Sequence, residues 1–273
     1  MPRQNAERRD IDPRSSAWAL YAYKLRKYRE RAGLSRTEVG EACVVSPKLI
    51  AAIENLHRLP GEQLSASLDK LLDADFFEDQ HHQILREAAI PPGFFKYIQF
   101  EGDVASLRIY EPMHIPGLFQ TEASARHILG QGQRNQYLEE VVALRLGRQD
   151  ILNREPPPLI IALIKEGVLH DTIGTPEVMR EQLAHLIELG HRLDIHIEIL
   201  PFGSPVYPSG AFNILGFGEG DDMAFIEGAG SRGHLLTPSP EVKALRETFD
   251  RARGHALRGA ESEQLIRSIM EDL

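Results

Sequence analysis

SRTEVGEACVVSPKLIAAIENLHRLP, residues 35–60, is the stretch from which the fold is read. Its first four residues, Ser35-Arg36-Thr37-Glu38, have the form of a capping box, in which a serine hydroxyl accepts from the glutamate amide and the glutamate carboxylate reaches back. A short helix is expected from Arg36 to about Cys43, with Val39 and Ala42 facing inward and Gly40 allowing close approach of a neighbouring helix. Val44-Val45 breaks the pattern. Ser46-Pro47 restarts it, with serine as N-cap and proline at the first helical position, where its missing N–H costs nothing. Leu49, Ile50 and Ile53 give the second helix an apolar face that runs to about Asn55, and Leu59-Pro60-Gly61 is a turn. Two short helices joined by a tight turn are a device for holding the second one outward.

Working outward, residues 17–31 place Trp18, Tyr21, Leu25 and Tyr28 three or four apart, the stripe of an amphipathic helix that Gly33 ends. Residues 61–74 repeat the pattern with Leu64, Leu68, Leu71 and Leu72. An all-α domain is therefore expected over residues 17–75. Residues 1–16 are polar, lack the apolar run of a signal peptide, and read as a flexible tail. Lys and Arg outnumber Asp and Glu by 13 to 9 in residues 1–72, and fall short by 18 to 31 in the remainder; +4 and −13 give the overall −9. A basic front and an acidic back suit a small nucleic-acid module carried by an acidic partner domain.

The front segment resembles the Cro/cI (XRE) helix-turn-helix family, on Val39, Gly40, Val45, Ser46, Ile50, Ile53, Glu54, Asn55, Arg58 and Pro60. The resemblance implies a lambda-repressor-like domain that binds double-stranded DNA, commonly as a homodimer. It assigns Arg36, Thr37, Ser46, Lys48, Leu49, Ala51, Ala52, His57 and Arg58 to the DNA-facing surface. Two departures bear on mechanism. Val44 stands where the family has a turn glycine, and a β-branched residue disfavours positive φ. The outward face of the second helix, where the family carries Gln, Ser, Thr and Arg, is Pro47, Lys48, Leu49, Ala51 and Ala52, of which only Lys48 is a donor. Bidentate base contacts need amide or guanidinium side chains, so DNA binding is the firmer expectation and readout of a long specific site the weaker one.

Residues 76–100 look like a junction, with a short helix stopped by Pro91-Pro92-Gly93. Beyond it, apolar runs bounded by Gly and Pro read as strands at ASLRIYEP, PPLIIALIKEGVL, DIHIEILPF, AFNILGFG and MAFIEGA. They alternate with helical runs at residues 120–131, 137–153, 175–192, 241–256 and 260–273. The expectation for residues 101–273 is an α+β domain with a small, mostly antiparallel sheet. Tyr110-Glu111-Pro112, Pro116-Gly117-Leu118-Phe119-Gln120-Thr121, Glu166-Gly-Val-Leu and Ile199-Leu200-Pro201 resemble an uncharacterised, antitoxin-like regulatory domain common in actinobacterial, Streptomyces-type proteins. That likeness implies a regulator whose relatives often neighbour a small acidic partner protein, and it implies no ligand or reaction. Pro116, Gly117, Phe119, Gln120 and Thr121 are expected to form a turn that N-caps the next helix, with a partner or ligand surface as the sharper alternative.

Few features point to catalysis. Gly228-Ala-Gly230-Ser-Arg-Gly233 satisfies a dinucleotide pattern, but HLLTPSP follows where a helix must open, so a glycine-rich hairpin or loop is expected. The 11 histidines lack zinc-ligand spacing, and one cysteine, Cys43, builds neither a disulfide nor a structural zinc site. No enzyme, cofactor or metal is expected. Asp221-Asp222, after Gly-Glu-Gly, reads as a hairpin tip and not as an acid/base pair. The absence of a membrane-length apolar run and the single thiol suggest a cytoplasmic protein.

Overall fold

The computed structural model describes residues 11–87, 92–132, 138–206, 208–228 and 232–273. The chain divides into two compact units, one of Met1–Ile90 with Arg134–Gly147, the other of Pro91–Gln133 with Arg148–Leu273. These units differ from the expected segments 17–75, 76–100 and 101–273: part of the junction, and a helical segment from far along the chain, belong to the first.

The first unit is helical among its described residues: α1 (Ala17–Arg31), α2 (Arg36–Ala42), α3 (Pro47–Glu54), α4 (Glu62–Leu72) and α5 (Phe77–Glu87). Ser16 caps α1 through the Ala19 amide, and Asp12 gathers Arg14 and Ser15 into a turn, so residues 11–16 are structured; residues 1–10 of the expected tail lie outside the described ones. The predicted stripe is the core, with Trp18, Tyr21, Leu25, Val39, Ile50, Ile53, Leu64 and Leu68 buried. Phe77 of α5 closes it edge-on to Tyr21 at 5.1 Å and to Tyr28 at 5.8 Å. The Tyr21 hydroxyl meets Ser65 at 2.9 Å, which satisfies a phenol buried in that core. The late arrival is α8 (Leu138–Arg148), whose Ala143 packs on this core. A methyl group at Gly147 would stand 2.0 Å from the His57 carbonyl oxygen, so glycine permits that approach.

The second unit holds β1 (Ser106–Glu111), β2 (Leu159–Lys165), β3 (Ile195–Leu200), β4 (Phe212–Gly216), β5 (Met223–Gly228) and β6 (Arg232–Leu236) in one sheet of order β3-β2-β1-β4-β5-β6. β3, β2 and β1 run parallel; β1-β4, β4-β5 and β5-β6 are antiparallel. The sheet thus has six strands and is partly antiparallel, as expected in three of its five pairings, and partly parallel in the other two. The reason is what lies between the strands. Parallel neighbours need a crossover, supplied between β1 and β2 by α7 (Glu122–Gly132) and α8, and between β2 and β3 by α9 (Glu166–His170) and α10 (Pro176–Gly190). Two further expectations change. The run expected to stay extended through Leu169 turns helical at Glu166, and Pro92-Gly93, expected as a stop, opens α6 (Pro92–Glu101). The glycine-rich stretch joins β5 to β6 as antiparallel neighbours, with residues 229–231 outside the described ones.

Alternation places Leu107, Ile109, Ala162, Ile164, Ile197 and Leu215 in a core with Met179, Leu183 and Leu186 of α10 and with Ile266 and Ile269 of α12 (Ala260–Glu271). Tyr110, Leu163, Phe212 and Ile214 point to the other face, against Phe249 and Ala252 of α11 (Pro240–Arg253). Covered on both sides, β2 reads as a nearly continuous apolar run. Two buried polar hubs organise the interior of this unit. Arg148 makes two 2.8 Å bonds to Glu101, which also accepts from the Tyr97 hydroxyl at 2.5 Å, and Asn213 donates to that hydroxyl at 3.0 Å. Gln182 donates to the Phe119 carbonyl at 2.7 Å and accepts from the Thr121 amide at 2.9 Å.

The second hub settles the geometry of Pro116–Thr121. Pro116, Phe119 and Gln120 are buried, Gly117–Phe119 is one 3-10 turn, and Thr121 accepts from the Ser124 amide at 3.3 Å. The segment forms a turn and a helix cap, with Gly117 and Thr121 half-buried.

Candidate nucleic-acid interface

Sequence alone builds the first half of the site. The Ser35 hydroxyl accepts from the Glu38 amide at 3.2 Å, and the Glu38 carboxylate accepts from the Ser35 amide at 2.7 Å, so α2 starts on a complete capping box. Hydrogen bonds from the Ser35 amide first, and from the Ser35 side chain second, hold the exposed Glu38 carboxyl below its usual range. The Ser46 hydroxyl accepts from Leu49 at 3.2 Å and starts α3 with Pro47 in its first turn. Between them the chain turns through Cys43, Val44 and Val45, and the Val45 amide donates to the Gly40 carbonyl at 2.8 Å. A methyl at Gly40 would lie 2.7 Å from the Val45 oxygen and 3.2 Å from the Pro47 nitrogen, so the two helices meet where a side chain would not fit.

The orientation of α3 is then fixed by a buried carboxylate. Glu54, fully buried at its last turn, receives Arg29 of α1 at 2.6 and 3.2 Å and Arg36 of α2 at 2.7 Å. Arg26 donates to the Glu54 carbonyl at 2.9 Å and to the Asn55 side chain at 3.1 Å, where a cation also complements the negative end of a helix. Arg29 reaches on to the Leu34 carbonyl at 3.0 Å. Three arginines on two helices therefore converge on the end of the third. Burial makes such a cluster costly to interrupt: removing one member of a buried pair costs about 3–5 kcal/mol.

The predicted surface residues separate into groups. Thr37, Ser46, Lys48 and His57 are exposed. Leu49, Ala51 and Ala52 are half-buried, and Leu49 packs against the core, so the outward face of α3 is narrower than its sequence suggested. Arg36 is held to Glu54 by its Nε and remains half-exposed. Arg58 is half-buried and His57 lies on the loop that α8 approaches. The positioning roles of Arg26 and Arg29 escaped the sequence reading. Their spacing marks one helix face, but their partner sits 28 and 25 residues away. Val44 is the other residue of note: φ is +57° and its side chain is 90% exposed.

Among the described residues no three His, Cys, Asp or Glu side chains are grouped to hold a metal ion, and no helix is long and apolar enough to cross a membrane. Cys43 is buried in the core, and burial pushes its thiol up.

Comparison with known families gives two matches. Residues 21–81 match a helix-turn-helix domain (HTH_31), and residues 94–268 match a domain of unknown function (DUF5753). Neither description names a catalytic activity. No curated protein and no solved structure matches the chain.

Proposed function

Because the chain belongs to the DUF5753 family and carries a helix-turn-helix domain before it, we propose that it is a cytoplasmic transcriptional regulator that binds double-stranded DNA as a homodimer, repressor-like in action and governed through its C-terminal unit. The helix-turn-helix match supports DNA binding and regulation in general; the dimer, the direction of control and the location are this reading's own. The observation that carries it is the α2–turn–α3 pair itself. α3 is locked from behind by Glu54 and its three arginines, while its N-terminal end presents Ser46, Pro47 and Lys48 to solvent. Helix N-termini and cations placed this way face phosphates.

Lys48 is the cleanest probe, because Arg36 is bound up in the fold. Fluorescence anisotropy of the full chain on the DNA upstream of its own gene, titrated with salt, is expected to show binding whose log–log slope falls by about 0.9 in Lys48→Ala, the loss of one phosphate contact. An unchanged slope with unchanged affinity would remove α3 from the interface. A second reading, an antitoxin-like protein that binds a small acidic partner with weak DNA binding, is favoured by one observation: Lys48 is the lone cation on the outward face of α3. Co-purification of a neighbouring small protein together with failure of that titration would favour it.

A further inference from the structure

We propose that Val44 is a base-reading residue whose isopropyl group contacts the C5-methyl group of thymine in the major groove. The inference rests on the DNA-binding reading above and deepens it by assigning how bases are distinguished where hydrogen-bonding side chains are lacking.

The argument starts from backbone strain. Three non-glycine residues among the described ones have positive φ: Val44 at 57°, Leu56 at 61° and Asp73 at 48°. Asp73 is the C-cap of α4, and aspartate visits this region readily. Leu56 is half-buried and packs on the core of the first unit, so contact offsets its cost. Val44 has neither excuse. It is β-branched, the residue class for which left-handed backbone is least favourable, and at 90% exposure it gains no burial. Its amide bonds to the Glu41 carbonyl at 3.3 Å, which a glycine would do equally well. A lone exposed apolar residue is ordinary, and so is a strained one with compensation. An exposed, strained and uncompensated side chain is the combination that collects at functional sites.

Its position supplies the ligand. Val44 lies two residues before Ser46, the N-cap of α3, at the same end as Lys48. The Ser46 hydroxyl accepts from the Leu49 amide, and along α3 the side chains besides Lys48 that reach solvent are the exposed Pro47 and the half-buried Ala51 and Ala52, with Leu49 half-buried against the core. This surface offers methyl and methylene groups and one cation. Thymine is the base that displays a methyl group in the major groove, so an apolar reader distinguishes it and little else.

The test uses the full chain. Duplexes are selected from a random-sequence pool, and each thymine of the winners is replaced in turn by deoxyuridine, which deletes only the methyl. Anisotropy should find at least one position where the replacement weakens binding about fourfold, the worth of burying one methyl group. Val44→Gly should reduce that ratio to about one while melting no lower than the parent, since it relieves strain; Val44→Ala should reduce it too. Undiminished discrimination in Val44→Gly, or enriched duplexes indifferent to uracil throughout, would overturn the assignment and leave DNA binding standing. A pool from which nothing is enriched would overturn the DNA reading and this assignment with it.

Discussion

Gly40→Ala sets two effects of opposite sign against each other at the point where α2 meets the turn. A mid-helix glycine replaced by alanine gains about 1 kcal/mol in helix propensity. Against that, the new methyl would stand 2.7 Å from the Val45 oxygen, 3.2 Å from the Pro47 nitrogen and 3.4 Å from the Ser46 carbonyl carbon. All three are backbone atoms, so no rotamer change relieves the crowding. If 3.4 Å is the nearest comfortable approach, the turn must retreat by 3.4 − 2.7 = 0.7 Å. The retreat also pulls on the Val45-to-Gly40 hydrogen bond of 2.8 Å. Overpacking of this kind costs about 1–3 kcal/mol, so the clash wins and the net loss is about 1 kcal/mol. For a unit of this size that lowers the melting temperature by roughly 4–8 °C. Because the displaced element is the start of α3, DNA affinity should fall by more than the stability change explains. Circular dichroism melts and anisotropy on the same preparations measure both. Gly190→Ala is the control, since nothing lies within 4 Å of a methyl there and propensity acts alone. A Gly40→Ala chain that melts higher than the parent, as Gly190→Ala should, would refute the interlock.

Two other outcomes follow from the buried groups of the first unit. Glu54→Gln leaves the Arg29 guanidinium, 11% exposed, beside a neutral side chain, and should cost about 3–5 kcal/mol in a denaturant titration; a loss below about 1 kcal/mol would mean that water already reaches the cluster. His81 of α5 is buried and titrates below its ordinary 6.5, mainly because burial disfavours the cation and secondarily because His82 lies near; Glu62 and a hydrogen bond to the Pro60 backbone oppose the shift. The unfolded chain therefore takes up a proton that the folded one refuses, so stability is full above 6.5 and falls as pH drops through it toward the lowered folded value. His81→Gln should flatten that part of the stability-against-pH curve, and an unaltered slope would count against the assignment.

What could be read from the chain was local chemistry. Ser35 with Glu38, Ser46 with Pro47, and the stripe of Trp18, Tyr21, Leu25 and Tyr28 declare themselves within a few residues, and the structure places α1, α2 and α3 on them. Strand existence was legible for the same reason, except at β6, where Gly233 and His234 dilute the apolar signal. What was hidden depends on partners far along the chain. Parallel pairing of β1 with β2 is a property of the helices between them, not of either strand. The run at residues 137–153 says that a helix forms but not where it packs; Ala143 lies on the core of the first unit and Gly147 approaches His57. The buried Gln182 that fixes Phe119 and Thr121 sits 63 and 61 residues from them.

The same long-range pairing changes how the charge of the front segment should be weighed. A surplus of four cations over residues 1–72 suited a nucleic-acid module, with Arg36 assigned to its DNA-facing surface. In the fold, donors of Arg26, Arg29 and Arg36 are turned onto Glu54 and neighbouring carbonyls, and the Lys24 ammonium lies over the rings of Tyr28 and Phe76. Their charge still contributes to the field, but their hydrogen bonds serve the orientation of α3. Among the described residues of the front segment, Arg14, Lys27, Arg31, Lys48 and Lys70 are exposed. On α3 itself Lys48 is the one cation, so a duplex seated on that helix would release few counterions there. On the proposed reading, selectivity at this helix then comes largely from fit in the groove, to which a rigidly oriented α3 and an outward-turned Val44 contribute.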